Sequence, residues 1–308
     1  MPTLIVAFCT FKRADRLATL VAALRGQSCP VPFEILAVNN NSPDDTLDVL
    51  ARLQNQSGAP LRVVTETAPG IVPARNRALA ESFGHDILVF IDDDELPQPG
   101  FLEAAYDAIA NEGAQCAGGQ IAMDFSTIRR PNWLGNELLG FLAAVDHGPD
   151  RFWIQSPDTP IWTANVAYDM QLFRNDSTLR FDARYNREGA NIGGGEDAVM
   201  LKALLDRGVR IRYRPDMAVL HAVESWRLRR RYFIKLHYRA GLRQGQFQLP
   251  DYPNTILGIP PFLVGQLATH SLKSLGLLLT RNSGQVRQAM NAAHAWGRLA
   301  GYSKRQRN

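Results

Sequence analysis

The sequence predicts an α/β protein in which a mostly parallel sheet is flanked by helices and followed by a helical extension at the C-terminus. Three observations carry this reading. Over the first hundred residues, apolar runs of strand length alternate with stretches of helical periodicity. Of the 308 residues, 45% are hydrophobic and 21% charged, which supplies a sizeable core. Charge is also segregated. Residues 1–224 carry 20 basic and 29 acidic groups, whereas Ser225 to the end carries 14 basic groups and one acid, Asp251.

LIVAF (4–8) reads as the first strand, followed by a helix with Leu17, Leu20, Val21 and Leu24 on one face. FEILAV (33–38) is the second strand, and the helix after it starts at SPDD with Leu47, Leu50 and Ala51 facing inward. LRVV (61–64) and DILVFI (86–91) are the next two strands, with a third helical stretch between them. Such β-α-β-α order implies parallel strands with helices on both faces, and ligands then bind beyond the carboxyl ends of the strands. Further on, CAGGQIAM and IWTANVAY read as strands, and RIRY and AVLH as two short ones. GGGEDAVMLKALLDRG reads as a helix with three glycines leading in, an apolar face of Ala198, Leu201, Leu204 and Leu205, and Gly208 as its stop.

After Ser225, WRLRRRYFIKLHYRAGLR interleaves seven cations with aromatics, and residues 256–280 are strongly apolar. Pro260 and Pro261 interrupt that apolar run, and Gln266, His270 and Lys273 dilute it. The expectation is a segment lying at a membrane interface rather than a span, with the cations drawn to an anionic membrane surface. The organisation expected is therefore an α/β domain over 1–224, with halves 1–122 and 123–224, and a basic, apolar helical tail over 225–308. Cys9, Cys29 and Cys116 form no metal-ligand spacing, and no signal peptide is evident, which points to the reducing cytoplasm.

FIDDDELPQPG (90–100) places Asp92, Asp93 and Asp94 directly after an apolar strand. A solvated turn would not need three adjacent acids. An EF-hand loop would need an oxygen ligand and a glycine where Leu96 and Pro97 stand, and a helix where DILVFI reads as a strand. A site for Mg2+ or Mn2+ that also holds a diphosphate fits better, because the cation relieves the repulsion and takes further oxygens from phosphates. Glu196 and Asp197, at a helix start where the dipole favours the anion, are the candidates for a general base.

The chain resembles family 2 inverting glycosyltransferases of the GT-A fold, a Rossmann-like architecture, and among them bacterial exopolysaccharide enzymes of the succinoglycan glucosyltransferase type. The likeness covers about residues 3–224 and is carried by VAFCTFKRADRLATLVAAL, VNNNSPDDT, PGIVPARNRAL, VFIDDDELPQPGFL, TANVAY, GGGEDAVMLKALLDRG and PDMAVLH, in that order. It implies a nucleotide-sugar donor, expected to be a UDP-sugar, and a glycan or polyprenyl-diphosphate-linked saccharide as acceptor. Thr10, Arg13, Asn39, Asn41, Arg75, Asp92 and Asp93 would bind the nucleotide. Asp94, with Asp92 and His221, would hold the metal. Asp197 would be the general base, with Glu196 beside it. One departure stands out: relatives usually carry Asp where this chain has Asn39, whose amide can still pair with a pyrimidine edge. Trp133 and Trp162 are candidates for the acceptor cleft. With the basic tail, the expected location is cytoplasmic and peripheral, on the inner face of the cell membrane.

Other functions fit less well. A sugar nucleotidyltransferase would need a Gly-rich basic loop after the first strand, where CTFKRADR stands. A binding scaffold would have no use for the aspartates together with Asp197. No nucleic-acid-binding motif accompanies the basic tail.

Overall fold

The structure, a computed structural model, describes all residues except 188–193, 281–283 and 306–308. Gly193, first of the expected glycine run, lies outside the described residues. The chain forms two compact units. One comprises Met1–Thr127, Leu139–Gly189 and Glu196–Val223; the other comprises Ile128–Leu138, Ala190–Gly195 and Glu224–Asn308.

The first unit opens with the expected alternation. β1 (Leu4–Thr10), α1 (Ala14–Arg25), β2 (Phe33–Asn39), α2 (Thr46–Gln54), β3 (Leu61–Thr65), α3 (Ile71–Glu81) and β4 (Ile87–Ile91) follow in order. The four strands are parallel and lie side by side as β3-β2-β1-β4. The runs in β1 and β4 are apolar at successive positions because almost every residue in them is buried, as in sheets covered on both faces. The helix faces differ in part from expectation. α1 buries its four predicted leucine and valine positions, but α2 buries Thr46, Leu50 and Leu53 and leaves Leu47 and Ala51 exposed.

The rest of this unit is β5 (Glu95–Pro97), α4 (Phe101–Ala110), β6 (Cys116–Asp124), β7 (Phe152–Ile154), β8 (Asn165–Asp169), α5 (Gln171–Asn175), α6 (Glu196–Asp206) and β9 (Ile211–Ala222). Here the sheet becomes mixed. β8 runs antiparallel to both β4 and β6, β6 is parallel to β9, and β5 and β7 are antiparallel to β9. Parallel pairing therefore prevails only in the first half. RIRY and AVLH, which the sequence separates, are the two ends of the one strand β9. The intervening Pro215 sits at a register shift opposite Gly119 and Ile121, where an extra stretch of β9 bulges out. Asn165 bridges the irregularity by donating to the carbonyls of Gln120 (2.9 Å) and Met217 (2.7 Å). α6 buries Glu196, Met200, Leu201 and Leu204, while the predicted Ala198 is exposed.

The second unit is built on α7 (Arg230–Arg243), α8 (Pro261–Leu279) and α9 (Gln285–Arg305), with α9 packed against both others. The seam that α9 forms with α7 and with the helical turn Gln244–Gln248 following it is lined by four glycines. A Cβ on Gly241 or Gly245 would run into the carbonyls of His294 or Arg298, and one on Gly297 or Gly301 into those of Tyr238 or Leu242. α8 docks through buried Leu263, which joins Leu249 and Tyr302, and through a hydrogen bond from Arg298 to Gln266 (3.0 Å). Pro260 and Pro261 divide this apolar segment: the Ile256–Ile259 bridge closes a turn before them, and the helix begins at Pro261. Pro261 occupies the first turn, where its missing N–H costs nothing, so α8 runs unbroken for 19 residues. By length and composition it could cross a membrane, and only 6% of its apolar window is buried within the structure.

Candidate active site

The carboxyl ends of β1, β2 and β4 carry Thr10, Asn39 and Asp92, so the sheet topology gathers residues far apart in sequence at one edge. Thr10 and Asn39 are buried and opposite one another in register. The Asn39 Oδ1 accepts from the Ser42 N–H at 3.1 Å, which fixes the loop after β2. Asn41 is exposed on that loop in the left-handed region (φ 51°). Arg13 lies just before α1, its N–H reaching the Thr46 hydroxyl at 3.4 Å.

The three aspartates turn away in different directions. The chain reverses after β4, closed by a bond from the Glu95 N–H to the Asp92 carbonyl (3.2 Å), and β5 then pairs with β9 so that Glu95 stands opposite His221. Asp94, only 9% exposed at its side chain, meets the His221 Nδ1 at 3.3 Å. Asp92 faces Arg75 at 3.3 Å. Burial, followed by the nearby Asp94 charge, pushes the Asp93 carboxyl up to about 7. Glu95 is fully buried. Burial first, then Asp92 and Asp94, hold its carboxyl well above the usual range, and its Oε1 makes no hydrogen bond among the described residues.

Arg75 ties this turn to α6. Its guanidinium, 4% exposed, donates to Asp197 (2.7 Å), Glu196 (3.1 Å) and Asp92 (3.3 Å). Burial works against its charge, but Asp197, Asp92 and Glu196 outweigh that and hold it above its ordinary range. Burial, then Asp197, pushes Glu196 up despite Arg75. Asp197 also accepts from the Thr163 N–H at 3.3 Å. Beside it is a small cavity lined in part by Trp162, Thr163, Tyr168 and Asp197, and the Trp162 Nε1 is buried without a hydrogen-bond partner among the described residues.

Sequence reasoning missed Asn40. Its amide donates to the carbonyls of Glu66 (3.1 Å) and Ala68 (2.7 Å) and accepts from the Gly70 N–H (2.8 Å), so it sets the start of α3 and thereby Arg75. Gly70 itself sits at φ 114°, with Asn186 packed where a Cβ would go. The signal was present in the NNN run after β2, although nothing there marks the middle residue as structural. Glu95 was likewise passed over as one more acid in the cluster.

The donor set fits a divalent cation that completes its shell with phosphate oxygens. Among the described residues no three His, Cys, Asp or Glu side chains converge as a protein cage. Mg2+ and Mn2+ at phosphate sites ordinarily use one or two carboxylates, which Asp94 with His221 beside it provides. Asp92, expected as a further metal ligand, faces Arg75 at 3.3 Å and is 35% exposed at its side chain. Of the two tryptophans expected at the acceptor side, Trp162 lines the cavity at Asp197, whereas Trp133 belongs to the second unit.

The family described as Glycosyl transferase family 2 matches residues 5–176. Glycosyltransferase AglE of Haloferax volcanii is 23% identical over 250 residues, covering 81% of this chain and 74% of that protein. The uncharacterized glycosyltransferase YfnE of Bacillus subtilis is 31% identical over 102 residues, which is 33% of this chain and 26% of YfnE. Among solved structures, the mannosyltransferase PcManGT from Pyrobaculum calidifontis, in complex with GDP-Man and Mn2+, superposes with a TM-score of 0.62 at 17% identity, over 97% of this chain and 87% of its own. GalNAc-T7 with UDP, GalNAc and Mn2+ gives 0.57 at 13% identity, over 81% and 52%.

Proposed function

The chain belongs to glycosyl transferase family 2, and from that premise we propose that it is an inverting transferase. It moves a sugar from a nucleotide diphosphate, UDP by preference, to a hydroxyl of a glycan or a lipid-linked saccharide. The observation that carries this reading is the Arg75 network, which joins the aspartate turn to the first turn of α6, Arg75 and Glu196 lying 121 residues apart in sequence.

In this reading Asp197 takes the proton from the acceptor hydroxyl as that oxygen attacks the anomeric carbon from the face opposite the leaving group, so the configuration inverts. Thr163 and Arg75 fix the carboxylate, and Trp162 borders the space the acceptor enters. Arg75 has three carboxylates around it and little exposure, so we assign it to orienting Asp92 and Asp197 rather than to gripping the leaving phosphates. Thr10, Arg13, Asn39 and Asn41 border the nucleotide, with the Asn39 oxygen already used in its loop and its amide donors left to read the base. A divalent cation held by Asp94 and His221 would neutralise charge on the departing diphosphate. The solved neighbours carry GDP-Man or UDP together with Mn2+, which supports a metal-assisted donor site. The likeness of the sequence motifs to succinoglycan-type enzymes supports a role in surface or exopolysaccharide synthesis. The basic second unit with exposed α8 supports peripheral docking at the inner membrane face.

Hydrolysis of a panel of UDP- and GDP-sugars with Mn2+ identifies the donor, and transfer by Asp197→Asn tests the base. The variant should lose about 10²–10⁴ in kcat with the donor KM nearly unchanged. Turnover close to wild type would remove Asp197 from the mechanism.

A further inference from the structure

In the first unit, three buried or half-buried arginines are each matched with two or more acids. Arg62 pairs with Glu34 and Glu81, Arg75 with three carboxylates, and Arg214 with Asp107, Glu112 and Asp216. The second unit is different. It holds sixteen Lys and Arg against three acids, Glu137, Glu224 and Asp251. Within it, Arg129, Arg130, Pro131, Asn132, Trp133 and Arg230 line an open concavity of about 470 Å³ that has no acidic wall. Arg129 and Arg230 form no ion pair among the described residues.

The concavity is held in shape. Arg130 is braced by bonds to the Leu134 carbonyl (2.9 Å) and the Asn136 Oδ1 (2.8 Å). The Trp133 ring is pinned edge-on by Phe233, with centroids 5.4 Å apart and planes at 86°, and carries the Arg230 guanidinium 5.7 Å from its centroid. Arg230 also opens α7, a helix whose N-terminus has no side-chain cap and no acid in its first turn, so the helix dipole adds positive potential there. All three cations are arginines, whose planar forks bind phosphate oxygens in pairs. Arg129 and Arg230 stand in this cluster with no acid paired to either among the described residues, which raises the repulsion between them, and an anion lowers it.

We propose that this pocket binds a phosphate or diphosphate group. The ligand is either the headgroup of an anionic or polyprenyl-type lipid or a soluble phosphorylated saccharide. None of the lining residues is among those assigned to transfer, and occupancy can be read without turnover.

The test is a fluorescence and calorimetric titration of the full chain with inorganic pyrophosphate in EDTA, beside sedimentation with phosphatidylcholine vesicles with and without phosphatidic acid. Wild type should bind pyrophosphate saturably. Arg129→Gln/Arg230→Gln should weaken binding by about tenfold or more, and Arg129→Lys/Arg230→Lys should fall between because charge remains without the fork. Metal-dependent donor hydrolysis should stay at the wild-type level in both variants. If the Gln variant also loses phosphatidic acid vesicles, the ligand is a lipid headgroup; if only pyrophosphate binding is lost, it is a soluble phosphate. Absence of saturable pyrophosphate binding, or equal binding by the Gln variant, overturns the proposal.

Discussion

At the scale of single residues, the site is a contest between burial and charge. Arg75 is the residue that decides it, since three carboxylates converge on one buried guanidinium. Arg75→Ala would leave Glu196 buried without a counter-charge and should cost about 3 kcal/mol in a denaturant titration, the low end for a broken buried pair because Asp92 and Asp197 still reach water. Arg75→Lys should recover only part of this, because one ammonium cannot span all three partners. Asp93 has the opposite problem. Its folded value of about 7 lies above the ordinary 3.8, so its contribution to stability is complete below 3.8 and is lost as pH rises through about 7. The thermal midpoint of metal-free protein should therefore fall as pH rises from about 4 to about 7 and level off above that, and Asp93→Asn should flatten the slope. The aspartates and Asp197 stand out in the sequence as acids at a strand end and a helix start, whereas Arg75, inside α3, is marked by the family resemblance alone. The division of labour among the aspartates was not legible, because Asp92, Asp93 and Asp94 are equivalent in one dimension. Only the reversal after β4 sends one to Arg75 and another to His221.

At the scale of elements, the β-α alternation was readable because strands buried on both faces are continuously apolar and helices repeat every three to four residues. The mixed half was harder. Pairing direction leaves no mark in a local pattern, and Pro215 signals a strand break although it sits in a bulge. The α7–α9 seam was unread for a different reason: glycines at 241, 245, 297 and 301 mark close backbone approach only when both helices are known. Gly297→Ala should destabilise by about 1–3 kcal/mol through overpacking. Gly265→Ala on α8, where a Cβ meets nothing, should instead stabilise by up to about 1 kcal/mol through helix propensity. A chemical-denaturation series over the two variants separates seam geometry from propensity.

At the scale of the whole molecule, the net charge of +4 is a difference between two large and opposite balances. The first unit carries 18 basic and 27 acidic side chains, the second 16 and three, so their balances are −9 and +13. This segregation was visible in the sequence at Ser225, and the structure extends the basic unit back to include Arg129 and Arg130. It also bears on how molecules of this protein treat one another. A solution of it behaves as a patchy colloid, in which the acidic unit of one copy attracts the basic unit of the next even though the net charges repel. Light scattering should show attraction that weakens as ionic strength passes about 0.1 M, where screening shortens to roughly 10 Å, so the protein should dissolve better in salt than in its absence.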